Sequence, residues 1–304
     1  MRPVRSIMQR ARFVPVVLSA ALVALTGCGR RGDGTSLRGN EAAGNRPPER
    51  IVCGTPAIAE IVYALGCGDR VVGVSDHTAY PPEARATTRI GGVINPSRER
   101  LLVLDPDLIL TQGRHERLAA FAAEYGIRFE AVALDTLADL YDAIGSIART
   151  LGVADRGTTL AGDIRARLRA VSATVTGPPR RVLLLFSRAP GSLRGLGTVG
   201  AGSFLDDLLQ VAGGTNIFAD AAGAYPQVSK EALVVRKPET IVEINPGGLP
   251  AETVARLRAD WDELADIPAV RHDRIHVLTN DFLLIPGPRV DQTAAALAAA
   301  IAAP

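Results

Sequence analysis

The sequence predicts an α/β protein built as two similar lobes with one long helix between them, and three observations carry that expectation. Short β-branched runs alternate with amphipathic stretches along most of the chain. This is the pattern of βαβ units, whose parallel strands need crossovers. The segment Ser97 to Leu110 returns without a gap as Ser229 to Val242, each position offset by 132 residues. Between the copies, Ala154 to Val175 carries apolar residues at Leu160, Ile164, Leu168, Val171 and Val175, a helical stripe. Its roughly 22 residues at about 1.5 Å each make a rod of about 33 Å.

The chain opens on a leader. Arg2, Arg5, Arg10 and Arg12 precede an apolar run from Phe13 to Leu25, interrupted by Pro15, so residues 1–27 read as a signal peptide too short to span a membrane comfortably. Leu25-Thr26-Gly27-Cys28 closely resembles a bacterial lipobox, which implies cleavage before Cys28 and lipidation of its thiol. Residues 28–49 are rich in Gly, Asn, Arg and Pro with almost no apolar residue, a flexible tether. The mature protein would be exported and would hang from a membrane, at the periplasmic side or the cell surface. Losing the leader removes four arginines and no acids, turning the net charge from +2 to −2. A basic nucleic-acid-binding reading goes with it. A chain of 304 residues, 47% hydrophobic and 22% charged, suits a soluble α/β protein of more than one domain.

The first lobe, residues 50–152, begins with the strand Ile51 to Cys53, the helix Ala57 to Leu65 closed by Gly66, and the strand Val71 to Val74. The helix opened by Ser97, the strand Leu108 to Thr111, a helix from His115 to Tyr125 closed by Gly126, the strand Arg128 to Val132 and the amphipathic Leu137 to Leu151 follow. The joining helix occupies residues 153–177 and ends at Gly177-Pro178-Pro179. The second lobe, residues 178–304, restarts with the continuous apolar strand Arg181 to Phe186, a glycine-rich stretch and the helix Ser203 to Val211. After the repeat copy come the strand Thr240 to Ile244, helices around Glu252 to Leu264, the strand Ile275 to Thr279 and an Ala-rich helix from Asp291, again βαβ. Cys53 and Cys67, in an oxidising compartment, could form a disulfide or stay two buried free thiols.

Both copies of the repeat read alike. Ser97 or Ser229 opens a helix, a base and then Glu99 or Glu231 follow in the first turn, and Pro106 or Pro238 ends it. Capping and the helix dipole explain Ser and Glu at any helix start. The constant offset adds that each lobe presents one exposed carboxylate, which suits docking on a two-fold partner.

In open α/β sheets the ligand crevice lies beyond the carboxyl ends of the strands. There the sequence gathers Thr55, then Asp76 and His77 with Tyr80-Pro81-Pro82, then Gln112, Arg114 and His115. The second half adds Ser187 and Arg188, Tyr225, Asn245, and Asn280, Asp281 and Phe282. Singly these are strand-end turn residues. Together they make a ring suited to a large ligand of mixed polarity between two lobes.

At this point the chain resembles a known family, the lipid-anchored, ABC-transporter-linked receptors of the helical-backbone type that take cobalamin, haem or iron siderophores. The resemblance runs from Arg50 to the C-terminus and rests on Arg50 to Gly66, Asp69 to Ala84, Asn95 to Leu110, Ala212 to Phe218 and above all Tyr225 to Leu233. It implies the class III periplasmic-binding-protein fold, two Rossmann-like lobes joined by a single rigid helix, with limited hinge motion and a ligand in the cleft. It also implies a permease dimer as partner, met through Glu99 and Glu231, and a metal chelate as cargo, so that cobalt or iron would arrive with the ligand while the protein needs no cofactor or metal of its own. Cobalamin receptors look closest, because Tyr80-Pro81-Pro82, Tyr225-Pro226-Gln227 and Asp281 sit where theirs line the corrin pocket. Val93 and Gln112 fall where a cobalamin receptor carries tryptophans, and Ile285 where it carries an arginine. Arg114, His115, Arg188 and Arg194 could instead favour an anionic chelate such as a siderophore or haem.

Other motifs carry less. Gly195 to Gly200 satisfies a dinucleotide fingerprint but joins no strand directly to a helix, and reads as a glycine-rich loop. His272 and His276 are spaced like half a zinc site, yet the second falls in a strand, which favours a sheet-edge role. Tyr80, Tyr225 or His77 could ligate a haem or corrin metal, with packing against the ligand face the simpler role. No G-x-S-x-G elbow is present, and Ser187 is the one nucleophile candidate for the alternative class, an exported α/β hydrolase. The expected reading is a monomeric, non-enzymatic receptor.

Overall fold

The computed structural model describes residues 46–303. The leader, Cys28 and the tether to residue 45 lie outside the described residues. From Arg46 the chain is already tied to the body. Asp107 accepts from the backbone N–H groups of Glu49 and Arg50 at 2.8 and 3.0 Å. Pro48 is buried, so the packed chain starts a few residues before the sequence-predicted boundary.

The first lobe comprises β1 (Ile51–Cys53), α1 (Pro56–Ala64), β2 (Val71–Val74), β3 (Thr88–Arg89), α2 (Arg98–Leu104), β4 (Leu108–Gln112), α3 (Glu116–Tyr125), β5 (Arg128–Val132) and α4 (Leu137–Thr150). Its five strands run parallel in the order β3-β2-β1-β4-β5. Pro56 at the first turn of α1 supplies a preset φ. Thr136 and Asp139 close a reciprocal capping box at the start of α4. α5 (Ala154–Thr174) then leads to the second lobe.

That lobe comprises β6 (Arg180–Ser187), β7 (Leu196–Thr198), α6 (Phe204–Val211), β8 (Gly214–Asn216), β9 (Gln227–Val228), α7 (Lys230–Arg236), β10 (Thr240–Ile244), α8 (Ala251–Ala259), α9 (Pro268–Arg271), β11 (Ile275–Leu278) and α10 (Val290–Ala302). Here the expectation needs correction. β11-β10-β6 are parallel, but β7 lies antiparallel between β6 and β9, so the sheet is mixed. The middle of the glycine-rich stretch read as a loop, Leu196–Thr198, is the strand β7. Gly197 pairs with Ser187, and a Cβ there would lie 2.2 Å from the Ser187 hydroxyl, so glycine is what lets the two strands meet. His276 sits on the edge strand β11, as the strand reading required. α8 tightens into a 3₁₀ turn over Asp260–Leu264.

Side chains alternate across each sheet, and the two faces have different fates. Ile51 and Cys53 of β1, with Val182 and Leu184 of β6, join Ile58, Ile144, Ile164, Leu168, Leu208 and Leu297 in a single apolar body that runs through α1, α4, α5, α6 and α10. Val52 and Ile109 face the other way, under Leu101 of α2 and Phe121 of α3. Leu183, Leu185 and Ile241 likewise pack under Leu233 of α7 and against Trp261.

The two cysteines are free and buried, so the disulfide alternative falls. Cys53 ends β1 where α1 begins, whereas Cys67 follows the far end of α1. A helix of this length separates them by roughly 13 Å, and a bridge needs Cα atoms within about 7 Å. Burial pushes both thiols up from their ordinary range.

Candidate functional site

Parallel strands bring Thr55, Asp76 and Gln112 to one edge of the first sheet, the first two just beyond β1 and β2 and the third at the end of β4. Thr55 is the N-cap residue of α1, and its buried hydroxyl has no hydrogen-bond partner. Asp76 is exposed and accepts from the Gly91 backbone at 3.2 Å. His77 and Arg114 are exposed. His115 is spent on the fold. Its Nδ1 accepts from the Leu118 N–H at the start of α3 while Nε2 donates to the Val93 carbonyl.

Tyr80 leads to a residue that the sequence did not single out. Its ring, 40% exposed, lies 4.0 Å from the guanidinium of Arg289, which enters from the second lobe just before α10. Nε and Nη2 of Arg289 donate to Glu60 Oε2 and Oε1 of α1 at 3.0 and 2.6 Å, a two-pronged bond between lobes. Nη1 reaches Asp281 Oδ1 at 3.1 Å, and the Phe282 ring is 5.6 Å away. Burial pushes the Glu60 carboxyl up from its ordinary value, against the opposing hydrogen bonds and charge of Arg289. Burial also works against the Arg289 charge, but Glu60 and Asp281 outweigh it and raise that group. Three of the sequence-predicted residues, Tyr80, Asp281 and Phe282, thus meet around one cation. A cavity of about 530 Å³ opens beside it, lined by Glu60, Tyr63, Tyr80, Leu160, Arg167 and Arg289. The signal available was Glu60 itself, an acid inside an otherwise apolar helix, and Arg289 between Pro288 and the Ala-rich helix. A larger cavity of about 620 Å³, at the other end of α5, is lined mainly by small and aliphatic residues and touches none of the strand-end groups.

On the second lobe, Tyr225 is 47% exposed and meets Phe186 edge-on, with centroids 5.5 Å apart. Burial, then the charge of Asp135, raises the Tyr225 hydroxyl. Asn280 is exposed beyond β11. Ser187 is exposed at the end of β6, and among the described residues no base hydrogen-bonds its hydroxyl. Arg188 corrects the expectation of a ligand-facing cation. Its side chain is 3% exposed and donates to Glu243 Oε1 at 2.9 Å and Asp260 Oδ2 at 2.7 Å, with further bonds to the Ser192 and Leu257 carbonyls. Asn245 also turns inward, donating to Glu243 at 3.1 Å.

The repeat folds as two matching helices. Ser97 accepts from the Arg100 N–H and Ser229 from the Ala232 N–H. Each helix ends on a non-glycine residue in the left-handed region, Asp105 (φ 42°) and Lys237 (φ 46°). An arginine from the start of each lobe's first strand then closes the carbonyl end: Arg50 Nη2 donates to Leu104 O, and Arg181 Nη2 to Arg236 O, both at 2.6 Å. This pair, too, escaped the sequence reading. The bases in the first turns are occupied, Arg98 by Glu124 and Lys230 by Glu263. Glu99 and Glu231 are exposed and make no ion pair among the described residues. Its own backbone N–H and the Ser97 hydroxyl hold the Glu99 carboxyl below the usual range, and the Ser229 hydroxyl, then its own N–H, do so for Glu231.

A vitamin B12-binding protein of Vibrio cholerae serotype O1 is 30% identical over 246 residues, 80% of this chain and 85% of the relative. An uncharacterized ABC transporter substrate-binding lipoprotein of Bacillus subtilis, YvrC, is 27% identical across 97% of this chain and 98% of its own. Among solved structures, the periplasmic heme-binding protein RhuT from Roseiflexus sp. RS-1 superposes with a TM-score of 0.68 at 30% identity, over 83% of this chain and 97% of that one. The periplasmic binding protein model matches residues 51–282, from β1 to Phe282, and the chain belongs to that family of binding proteins.

Proposed function

We propose that this chain is the receptor of an ABC importer and that it holds a corrinoid, or another metal chelate such as haem or an iron siderophore, between its two lobes. The carrying observation is the pair of aromatic groups offered from opposite lobes, Tyr80 on one and Tyr225 on the other, each about half exposed beside a polar rim. A large, partly flat ligand stacks on such groups while Thr55, Asp76, His77, Gln112, Arg114, Ser187, Asn280, Asp281 and Phe282 supply polar and apolar edges. The names of the relatives, vitamin B12-binding and heme-binding, support this cargo class. Residues 1–27 act as an export leader, Cys28 carries the lipid, and the segment between Cys28 and the packed chain tethers the two lobes and their joining helix to the membrane. The name of the Bacillus relative supports the lipid anchor, and no helix among the described residues is long and apolar enough to cross a membrane.

Calorimetry with cyanocobalamin, haem and a small siderophore panel tests the reading. One of them should bind below about 10 μM, a free energy of about −7 kcal/mol. Tyr80→Ala and Tyr225→Ala should each weaken that ligand about tenfold or more. Binding by none of the panel would end the proposal.

Glu99 and Glu231 face a permease dimer, one carboxylate to each membrane subunit. The double variant Glu99→Ala with Glu231→Ala should reduce uptake in cells by at least about tenfold while the calorimetric affinity stays within about twofold. Undiminished uptake would remove the docking role.

A further inference from the structure

The duplicated helices share more than their acids. Leu102 is 45% exposed and Val103 84%; the residues 132 positions on, Val234 and Val235, are 45% and 79% exposed. Aliphatic side chains turned to water at matching values on both lobes are costly surface. Helical spacing places them beside the acids. Positions three and four residues apart lie on one face, so Glu99, Leu102 and Val103 form one triangle and Glu231, Val234 and Val235 the other. The next residue round each helix, Leu101 or Leu233, is fully buried under its sheet and anchors it. Both helices sit on the sheet faces turned away from the shared apolar body, and both begin at the strand-end edge. Their caps and the arginines at their carbonyl ends fix the two triangles in the same local geometry.

Resting on the receptor reading above, we propose that each triangle, a carboxylate with an aliphatic pair one turn below it, is the docking footprint. The partner is a two-fold membrane permease that offers twice over a basic side chain next to an apolar hollow. Three features of the chain select that occupant. The acids are unpaired and held ionised, which calls for a cation opposite them. The neighbouring bases are turned to other partners, Arg98 to Glu124, Lys230 to Glu263 and Arg100 to the Arg89 carbonyl, so none of them forms an ion pair with either acid. The same patch occurs once per lobe, which a one-site partner would leave half unused. The acids steer and orient the encounter, and the aliphatic pairs give the complex its lifetime.

The test measures association of the full-length lipoprotein with the importer's permease and ATPase subunits in nanodiscs, at low and at high salt. Leu102→Ser with Val103→Ser should weaken association about tenfold at both salt concentrations, and Val234→Ser with Val235→Ser by a similar factor. Glu99→Ala should weaken it chiefly at low salt and flatten its salt dependence. Val103→Ser alone, at the more exposed position, guards against a folding defect and should still weaken binding severalfold with an unchanged melting temperature. Serine variants within twofold of the parent, while Glu99→Ala with Glu231→Ala still weakens binding, would overturn the apolar footprint and leave the receptor reading standing. Equal binding to nanodiscs without the permease, or loss of self-association as the main effect of the serine variants, would assign the patches to lipid or to a second copy of this chain and overturn the proposal.

Discussion

Arg289→Ala is expected to lower the unfolding free energy by about 3–5 kcal/mol, read as a fall in the urea midpoint. The guanidinium is 10% exposed and its partner carboxylate on Glu60 only 2%. Removing it leaves a buried charge with no counter-ion, and that penalty, more than the lost attraction, sets the magnitude. Arg289→Lys should recover only part of the loss, because an ammonium cannot make the two-pronged bond. The pH dependence has a definite sign. A carboxyl with a folded-state pKa above its unfolded value supports folding below the unfolded pKa and loses that contribution as pH rises through the folded one. Without Arg289 the Glu60 carboxyl rises further, so the deficit should be widest near pH 8 and narrow toward about pH 5. A deficit independent of pH would show that Glu60 is not the group left stranded. Ligand affinity should fall as well, since Tyr80 loses the cation on which its ring rests.

Arg188→Ala should cost a similar amount, about 3–5 kcal/mol, with no change of ligand affinity in the folded fraction. Its partner Glu243 is 2% exposed and also accepts from the buried Trp261 indole at 3.3 Å. Arg188→Met combined with Glu243→Gln should regain much of the loss, because the charge is gone and glutamine still offers Trp261 an acceptor. Equal instability of the single and double variants would argue against a stranded Glu243. A marked loss of affinity in the folded Arg188→Ala protein would restore the arginine to the cleft.

The central strands were legible because strands buried on both faces read as apolar runs between turn residues, and the edge strand Arg128–Val132 because its apolar residues follow a helix closed by Gly126. Ile51–Cys53, Val71–Val74, Arg128–Val132 and Thr240–Ile244 begin and end where composition put them. Leu196–Thr198, Gly214–Asn216 and Gln227–Val228 were not legible. Unlike the equally short but wholly apolar Ile51–Cys53, these stretches are broken by Gly, Thr, Asn or Gln, and what makes them strands is the neighbour each finds along β6 or β7. The same limit governs the site. Tyr80, Asp281 and Phe282 could be placed from strand ends, whereas the Glu60–Arg289 bond joins residues 229 positions apart and has no local signature. Arg188 was misread because side-chain direction decides its role. The clue lay in Glu243, an acid within the apolar run of β10 that had to find a cation.

The apolar body common to both lobes has a consequence for how cargo is met. Two domains on a loop hinge can swing freely, but here the connecting rod contributes Ile164 and Leu168 to packing that also holds β1 and β6. Relative movement then means sliding packed helices past one another, a shear of small amplitude, because close-packed interiors deform in discrete steps. Capture by such a body is recognition by a surface standing ready beforehand, with little ordering cost to set against the attraction of the ligand.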